Sequence, residues 1–217
     1  MESNINNRSI QYIQSPSNAI SYKCKCIDFY LKRFSCELIA SEFRYGKLQL
    51  VTDLLFLTVK NIISIEIKAE HDDLRRLYNQ IIEAKKNFNF IIVFAAAKHI
   101  ESLLTMLPAD VGITSFIDNK ITIIRTPKRH ILQSEEIIWG IPIAYLRRHF
   151  IVSSDYNSDE TRDYILTKYK HRIPSVYREY LHSKFQTKYT QFLSDRGEET
   201  HLEDIPVLSM KEYITKL

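Results

Sequence analysis

The chain reads as an α/β protein built on a mixed central sheet with helices on its faces. Three observations predict this. The order of elements from residue 27 to 124 is helix, strand, strand, helix, strand, helix, strand, strand. Phe90 to Ala97 is an apolar run without alternation, as expected of a strand covered on both sides. Beyond Pro127 the signal becomes helical, which predicts a C-terminal extension over 131–217.

Taken in order, residues 1–26 are polar and Asn/Ser-rich at the start and read as an N-terminal arm without an apolar signal segment. From Ile27 to about Ala40, Phe29, Leu31, Phe34, Leu38 and Ile39 recur at roughly helical spacing. Arg44-Tyr45-Gly46-Lys47 breaks that pattern. Leu48 to Leu57 reads as a central strand, and Ile62 to Lys68 as a second, with a turn at Val59-Lys60-Asn61. In the second strand Ile63, Ile65 and Ile67 share one face, and Ser64, Glu66 and Lys68 the other.

Asp72 or Asp73 is expected to cap the next helix, whose buried stripe is Leu74, Leu77, Ile81 and Ala84. A short helix from Lys98 stops before Pro108. Val111 to Phe116 and Lys120 to Ile124 close the core around Asp118-Asn119, and the core domain spans 27–130. Helices are expected over Glu135 to Phe150, Asp159 to Lys170 and Pro174 to Leu193.

Composition sets limits. Of the 217 residues 45% are hydrophobic and 26% charged, enough for a core without disulfides. No apolar run approaches the ~20 residues of a membrane span, so a cytosolic location and no membrane partner are expected. The net charge of +4 is too mild to argue nucleic-acid binding alone. Cys24, Cys26 and Cys36 make neither a disulfide framework nor a zinc site.

The chemistry centres on Asp53, Glu66 and Lys68. If the first two strands form a hairpin closing at Thr58 and Asn61, paired residue numbers sum to 119. Asp53 then falls opposite Glu66, with Cβ atoms ~5 Å apart on one face. Two carboxylates so placed repel, and a divalent cation between them removes that cost. Lys68 projects from the same face ~6.6 Å along the strand, where an ammonium can stabilise charge developing on phosphorus. The alternative is a buried salt-bridge cluster, because a D…ExK pattern is short and chance matches are common.

Glu42 is the next candidate, placed to reach the same edge from the end of the first helix; its alternative is a solvated glutamate. Gln80, on the helix after the lysine strand, could hold Lys68 or a metal-bound water; its alternative is an exposed helix residue. Arg75 and Arg76 open that helix and could contact phosphates, or form a solvated face. Between Arg162 and Lys188, basic residues mix with tyrosines that could stack bases, but helical spacing of aromatics favours core packing.

The run Glu42…Thr52-Asp53…Glu66-Ile67-Lys68…Gln80 resembles the PD-(D/E)XK nuclease superfamily, whose core order it follows. More closely, Glu66-Ile67-Lys68, Asp72-Asp73-Leu74-Arg75-Arg76-Leu77, Gln80, Lys98-His99, Pro108 and Gly112 are similar to a family of small bacterial and phage proteins related to the MmcB-type DNA repair proteins. The likeness covers about residues 36–170. Val51 and Ala84 depart from it, standing where that family carries Arg and Tyr.

The resemblance implies a restriction-endonuclease-like fold and a metal-dependent nuclease acting on DNA in repair, defence or mobile-element biology. It implies Glu42, Asp53, Glu66, Lys68 and Gln80 as catalytic residues, with Asp53, Glu66 and Glu42 as ligands of Mg²⁺, for which Mn²⁺ would substitute. Arg75 and Arg76 would meet the nucleic acid. The competing expectation is a non-catalytic nucleic-acid-binding or interaction subunit that kept the fold. A homodimer or a protein partner stays open.

Overall fold

The computed structural model describes residues 19–118 and 120–209. Six strands form one sheet in the order β1-β2-β3-β4-β5-β6: Cys36–Tyr45, Leu50–Thr58, Ile62–Lys68, Phe90–Ala96, Gly112–Ile117 and Lys120–Arg125. β1, β2 and β3 are antiparallel neighbours, β3, β4 and β5 are parallel, and β6 returns antiparallel to β5. The expected mixed sheet flanked by helices is therefore present, with a helical C-terminal part.

The helices are α1 Ala19–Leu31, α2 Leu77–Asn87, α3 Ile100–Met106, α4 Ser134–Ile137, α5 Ile143–His149, α6 Ser158–Tyr169 and α7 Ile173–Asp195. Parallel β3 and β4 are joined through α2, as a parallel pair requires a crossover. Tyr22 and Tyr30 of α1 lay their rings against Phe94, Phe116 and Phe56 and so cover one sheet face. α7 packs along β1, where Phe185 meets Phe43 with ring centroids 5.7 Å apart.

Several expectations change. Residues 1–18 of the expected arm lie outside the described residues, and from Ala19 the chain is already helical, with Tyr22, Lys23, Cys24 and Cys26 buried. The helix expected from Ile27 to Ala40 ends at Leu31, and Cys36–Tyr45 is an edge strand. The apolar positions of 36–45 serve a strand buried on both faces, which erases the period-2 signal. Asp72 and Asp73 cap no helix: they accept the N–H groups of Ala69 and Arg75, both at 2.8 Å, and hold two tight turns before α2 starts at Leu77. The helix expected over 135–150 is interrupted between Ile137 and Ile143, around Gly140 and Pro142. The buried aromatic residues of α7, among them Tyr177, Tyr180, Phe185 and Tyr189, bear out core packing.

Candidate active site

The hairpin register is the expected one. Leu54 pairs with Ile65, Leu55 with Ser64, Phe56 with Ile63 and Leu57 with Ile62, while Thr58 donates to Asn61 at 2.9 Å. On the other side Ser41 pairs with Leu54 and Phe43 with Thr52. Glu42, Asp53 and Glu66 therefore stand at one level across β1, β2 and β3. Glu42 is consequently not at a helix end but inside a strand.

The ladder gives way at that level. Glu42–Asp53 is skipped, and β2–β3 pairing stops at Leu54–Ile65. Glu42 has φ 55°, a left-handed conformation that costs a residue with a Cβ ~1–2 kcal/mol. Asp53 turns its carboxylate into the gap, where Oδ2 accepts the Ile67 N–H at 2.8 Å in place of a backbone rung.

The other oxygen of Asp53 meets a residue that sequence reasoning missed. Lys23 of α1 places Nζ 3.6 Å from Asp53 Oδ1 and 3.5 Å from Glu42 Oε1, and donates to Ser41 Oγ at 3.5 Å. Its side chain is only 5% exposed. The signal was there: Lys23 stands at i with Cys26, Ile27 and Tyr30 at i+3, i+4 and i+7, on the buried stripe of a helix. A lysine on such a stripe needs an acid opposite it.

Glu66 lies on the other side. It pairs with Val93, whose neighbour Phe94 faces Tyr22 of α1, so alternation sends Glu66 away from α1. The hairpin alone implied Asp53 and Glu66 side by side on one face. Asp53 fills the split between strands, and its carboxyl still meets that of Glu66 there. Glu66 is 3% exposed, and its Oε1 has no hydrogen-bond partner among the described residues. Burial, reinforced by the charge of Asp53, pushes its carboxyl up to about 8, against the opposing pull of Lys68 and the Thr52 hydroxyl. Thr52 is itself tied to Ser64, Oγ to Oγ, at 2.8 Å.

Lys68 ends β3 on the same face as Glu66. Among the described residues no carboxylate comes within 4.0 Å of its ammonium. The buried His99 bonds through Nε2 to the Ala69 carbonyl at 3.0 Å and fixes the chain just beyond it. Gln80 is half-buried on α2, and its carbonyl accepts the Tyr45 hydroxyl at 3.4 Å. Burial and the charges of Glu66 and Glu83 raise the pKa of that hydroxyl. Tyr45 thus joins α2 to the surroundings of Glu66, a link its place in a supposed turn concealed.

Arg75 and Arg76 are exposed and stand apart from the row. Arg75 is paired with Asp73 and lines a shallow hollow of about 600 Å³ against Glu101, Ser102, Thr105 and Met106 of α3. Among the described residues no three His, Cys, Asp or Glu side chains close into a metal-binding group. Asp53 and Glu66 do suit a hard divalent cation: two carboxyls in contact, one with a buried oxygen lacking a partner among the described residues. Lys23 lies against Glu42 and Asp53 alike, so a cation at either carboxylate would share it with the ammonium.

Residues 16–209 match the model of the family described as Bacteriophage P4 protein cII. The chain belongs to this family. The match takes in the whole sheet, the acidic row and α7 together. No curated protein matches the chain. Among solved structures, a protein of unknown function from Silicibacter pomeroyi is 17% identical over 55% of this chain and 77% of its own, with a TM-score of 0.42. No helix among the described residues is long and apolar enough to cross a membrane.

Proposed function

We propose that this member of the cII family is a divalent-metal-dependent nuclease of the PD-(D/E)XK type, hydrolysing phosphodiester bonds of DNA in repair, defence or mobile-element biology. The observation that carries the reading is the acidic level itself. Three carboxylates share one register position where the sheet opens, and a lysine follows two residues along β3. The likeness of Glu66-Ile67-Lys68 through Gln80 to the relatives of MmcB-type repair proteins supports it.

In this reading Asp53 and Glu66 hold Mg²⁺, with Mn²⁺ as a substitute. When bound, such an ion supplies Lewis acidity at phosphorus. The chain supplies the rest. Its Asp53 Oδ2 stays anchored on the Ile67 N–H, so the carboxylate is oriented before anything binds. Thr52 orients Glu66, and Lys68 offers an ammonium to the charge that grows on the phosphate oxygens. Lys23 neutralises Glu42 and steadies Asp53 from the α1 side.

One observation favours a second reading, a nucleic-acid-binding or interaction subunit that kept the fold without the chemistry. Lys23 already occupies the space between Glu42 and Asp53 and offsets part of their charge, and Glu66 holds its proton up to about 8, which leaves less charge to attract a cation. Cleavage of single- and double-stranded DNA and RNA with Mg²⁺ or Mn²⁺ separates the two. Metal-dependent cleavage that Asp53→Ala and Lys68→Ala both lose supports the nuclease; equal cleavage by all three proteins removes it.

A further inference from the structure

The C-terminal part carries a hollow of about 360 Å³ that shares no residue with the acidic row. It is lined by Arg147, Arg148 and His149 at the end of α5, by Phe150 just after it, and by Tyr169 and Arg172. Among the described residues none of its three arginines has a carboxylate within 4.0 Å. The lining residue His149 engages Glu179 through Nδ1 at 3.5 Å.

The arginines have different duties. Arg147 is a loop staple: it donates to the carbonyls of Ser154 and Tyr156 and to the Thr161 hydroxyl. Arg148 and Arg172 give up little of their capacity. Among the described residues Arg148 donates only to the Ala144 carbonyl, at 3.2 Å, and lies 5.8 Å from the Tyr145 ring, and Arg172 donates only to the His149 carbonyl, at 3.5 Å. Each guanidinium has five N–H groups. The guanidinium of Arg172 lies 5.2 Å over the Phe150 ring and 6.0 Å from the Tyr169 ring, which holds it open at the hollow.

A basic last turn complements the negative end of α5, and this accounts for the sign of Arg147, Arg148 and His149. It does not account for Arg172, which enters from another element just before the positive end of the 23-residue α7. Ile151, 86% exposed, adds an apolar lip beside the Tyr169 ring.

We propose that Arg148 and Arg172 form a phosphodiester-binding site for a nucleic-acid strand, with the Tyr169 and Ile151 surface receiving the adjoining sugar or base. Two unspent guanidinium forks suit phosphate oxygens, and the ring and alkyl lip suit a nucleotide better than a bare anion. The proposal shares with the nuclease reading the class of ligand and nothing of the acidic row.

The test is fluorescence anisotropy of labelled 20-nucleotide single- and double-stranded DNA in EDTA, across salt concentrations. In EDTA the outcome is independent of cleavage, so this site and the nuclease reading fail separately. For Arg148→Ala/Arg172→Ala we expect affinity at 100 mM salt to fall about tenfold or more. The salt slope on the single strand should shrink by about 1.4, two contacts at ~0.7 each. Arg148→Lys/Arg172→Lys, which keeps the charge, should retain most of the slope, and Tyr169→Ala should weaken binding while leaving the slope intact. No binding by the wild-type protein overturns the proposal, as does an alanine variant with unchanged affinity and slope. So does polyglutamate competing as well as DNA at equal charge.

Discussion

At its turn the β2–β3 hairpin is apolar and fully paired: Leu57 faces Ile62, Phe56 faces Ile63, and Thr58 and Asn61 close the loop. Three residues further on, the same two strands part around two carboxylates, a third acid with positive φ stands beside them, and a buried lysine lies between. The first end obeys every local rule of strand pairing. The second breaks four of them at one level: paired like charges, an unpaired buried oxygen, a left-handed glutamate and a lysine on a core stripe. Stability alone favours the first kind of arrangement, and the concentration of costs at one level is what supports the proposal of a functional site there.

If that contrast reflects catalysis, its largest consequence is in rate. Asp53→Ala should lose cleavage and Mn²⁺ binding together. Lys68→Ala should keep much of the metal affinity and lose ~10²–10³-fold in rate, as an electrostatic stabiliser that is not a ligand does. Calorimetry of Mn²⁺ binding beside a cleavage assay reads both. Loss of metal by the Lys68 variant would break the division of roles.

The next effect is on stability against pH. In the unfolded chain Glu66 ionises near 4.5, and in the folded protein it holds its proton to about 8. Between those values the native state binds more protons, so stability falls as pH rises, by up to ~1.4 kcal/mol per pH unit. The contribution is complete below pH 4.5 and gone above pH 8. The step belongs to Glu66 and Asp53 jointly. Glu66→Gln should match the wild type near pH 4.5 and exceed it by up to about 5 kcal/mol at pH 9. Urea melts at intervals of one pH unit give the two curves; parallel curves would show that Glu66 ionises normally.

Lys23 gives the third. Lys23→Met removes the ammonium that lies against Glu42 and Asp53. Losing one partner of a buried pair costs ~3–5 kcal/mol, and the two acids here are 29% and 31% exposed, so about 2 kcal/mol is expected. Lys23→Met/Glu42→Gln should recover part of that, because one of the two carboxylates facing the lost ammonium is then neutral. Equal stability of single and double variants would mean that Glu42 and Lys23 are not coupled.

The paired end of the hairpin was legible in the sequence because its register follows from a two-residue turn and strict alternation. Asp53 and Glu66 could therefore be set at one level from residue numbers alone. Their exact relation could not, since it depends on Asp53 replacing a backbone rung with its own carboxylate. β1 was illegible because both its faces are buried and its apolar spacing mimics a helix. Lys23 followed from that error: with the helix begun at Ile27, its phase relative to Cys26 and Tyr30 was lost. The two aspartates after Lys68 had the right chemistry for capping, but a turn spent them before the helix began.

The smallest effect expected in the neighbourhood of the row concerns Arg75 and Arg76. Both are exposed, and Arg75 is 90% open to solvent and, among the described residues, tied only to Asp73, two residues away. An exposed pair of this kind is screened by solvent and contributes little, so Arg75→Ala/Arg76→Ala should leave the melting midpoint nearly where it was. Any role must then show in binding. If the two arginines meet phosphates, the double variant reduces the salt slope on duplex DNA by up to ~1.8. A reduction smaller than the one caused by Arg148→Ala/Arg172→Ala is expected, because Asp73 competes for Arg75 while no carboxylate competes for the other pair. The two double variants run in one anisotropy series therefore rank the surfaces. A larger loss at Arg75 and Arg76 would move the nucleic-acid face from the helical extension to the turn beside Lys68.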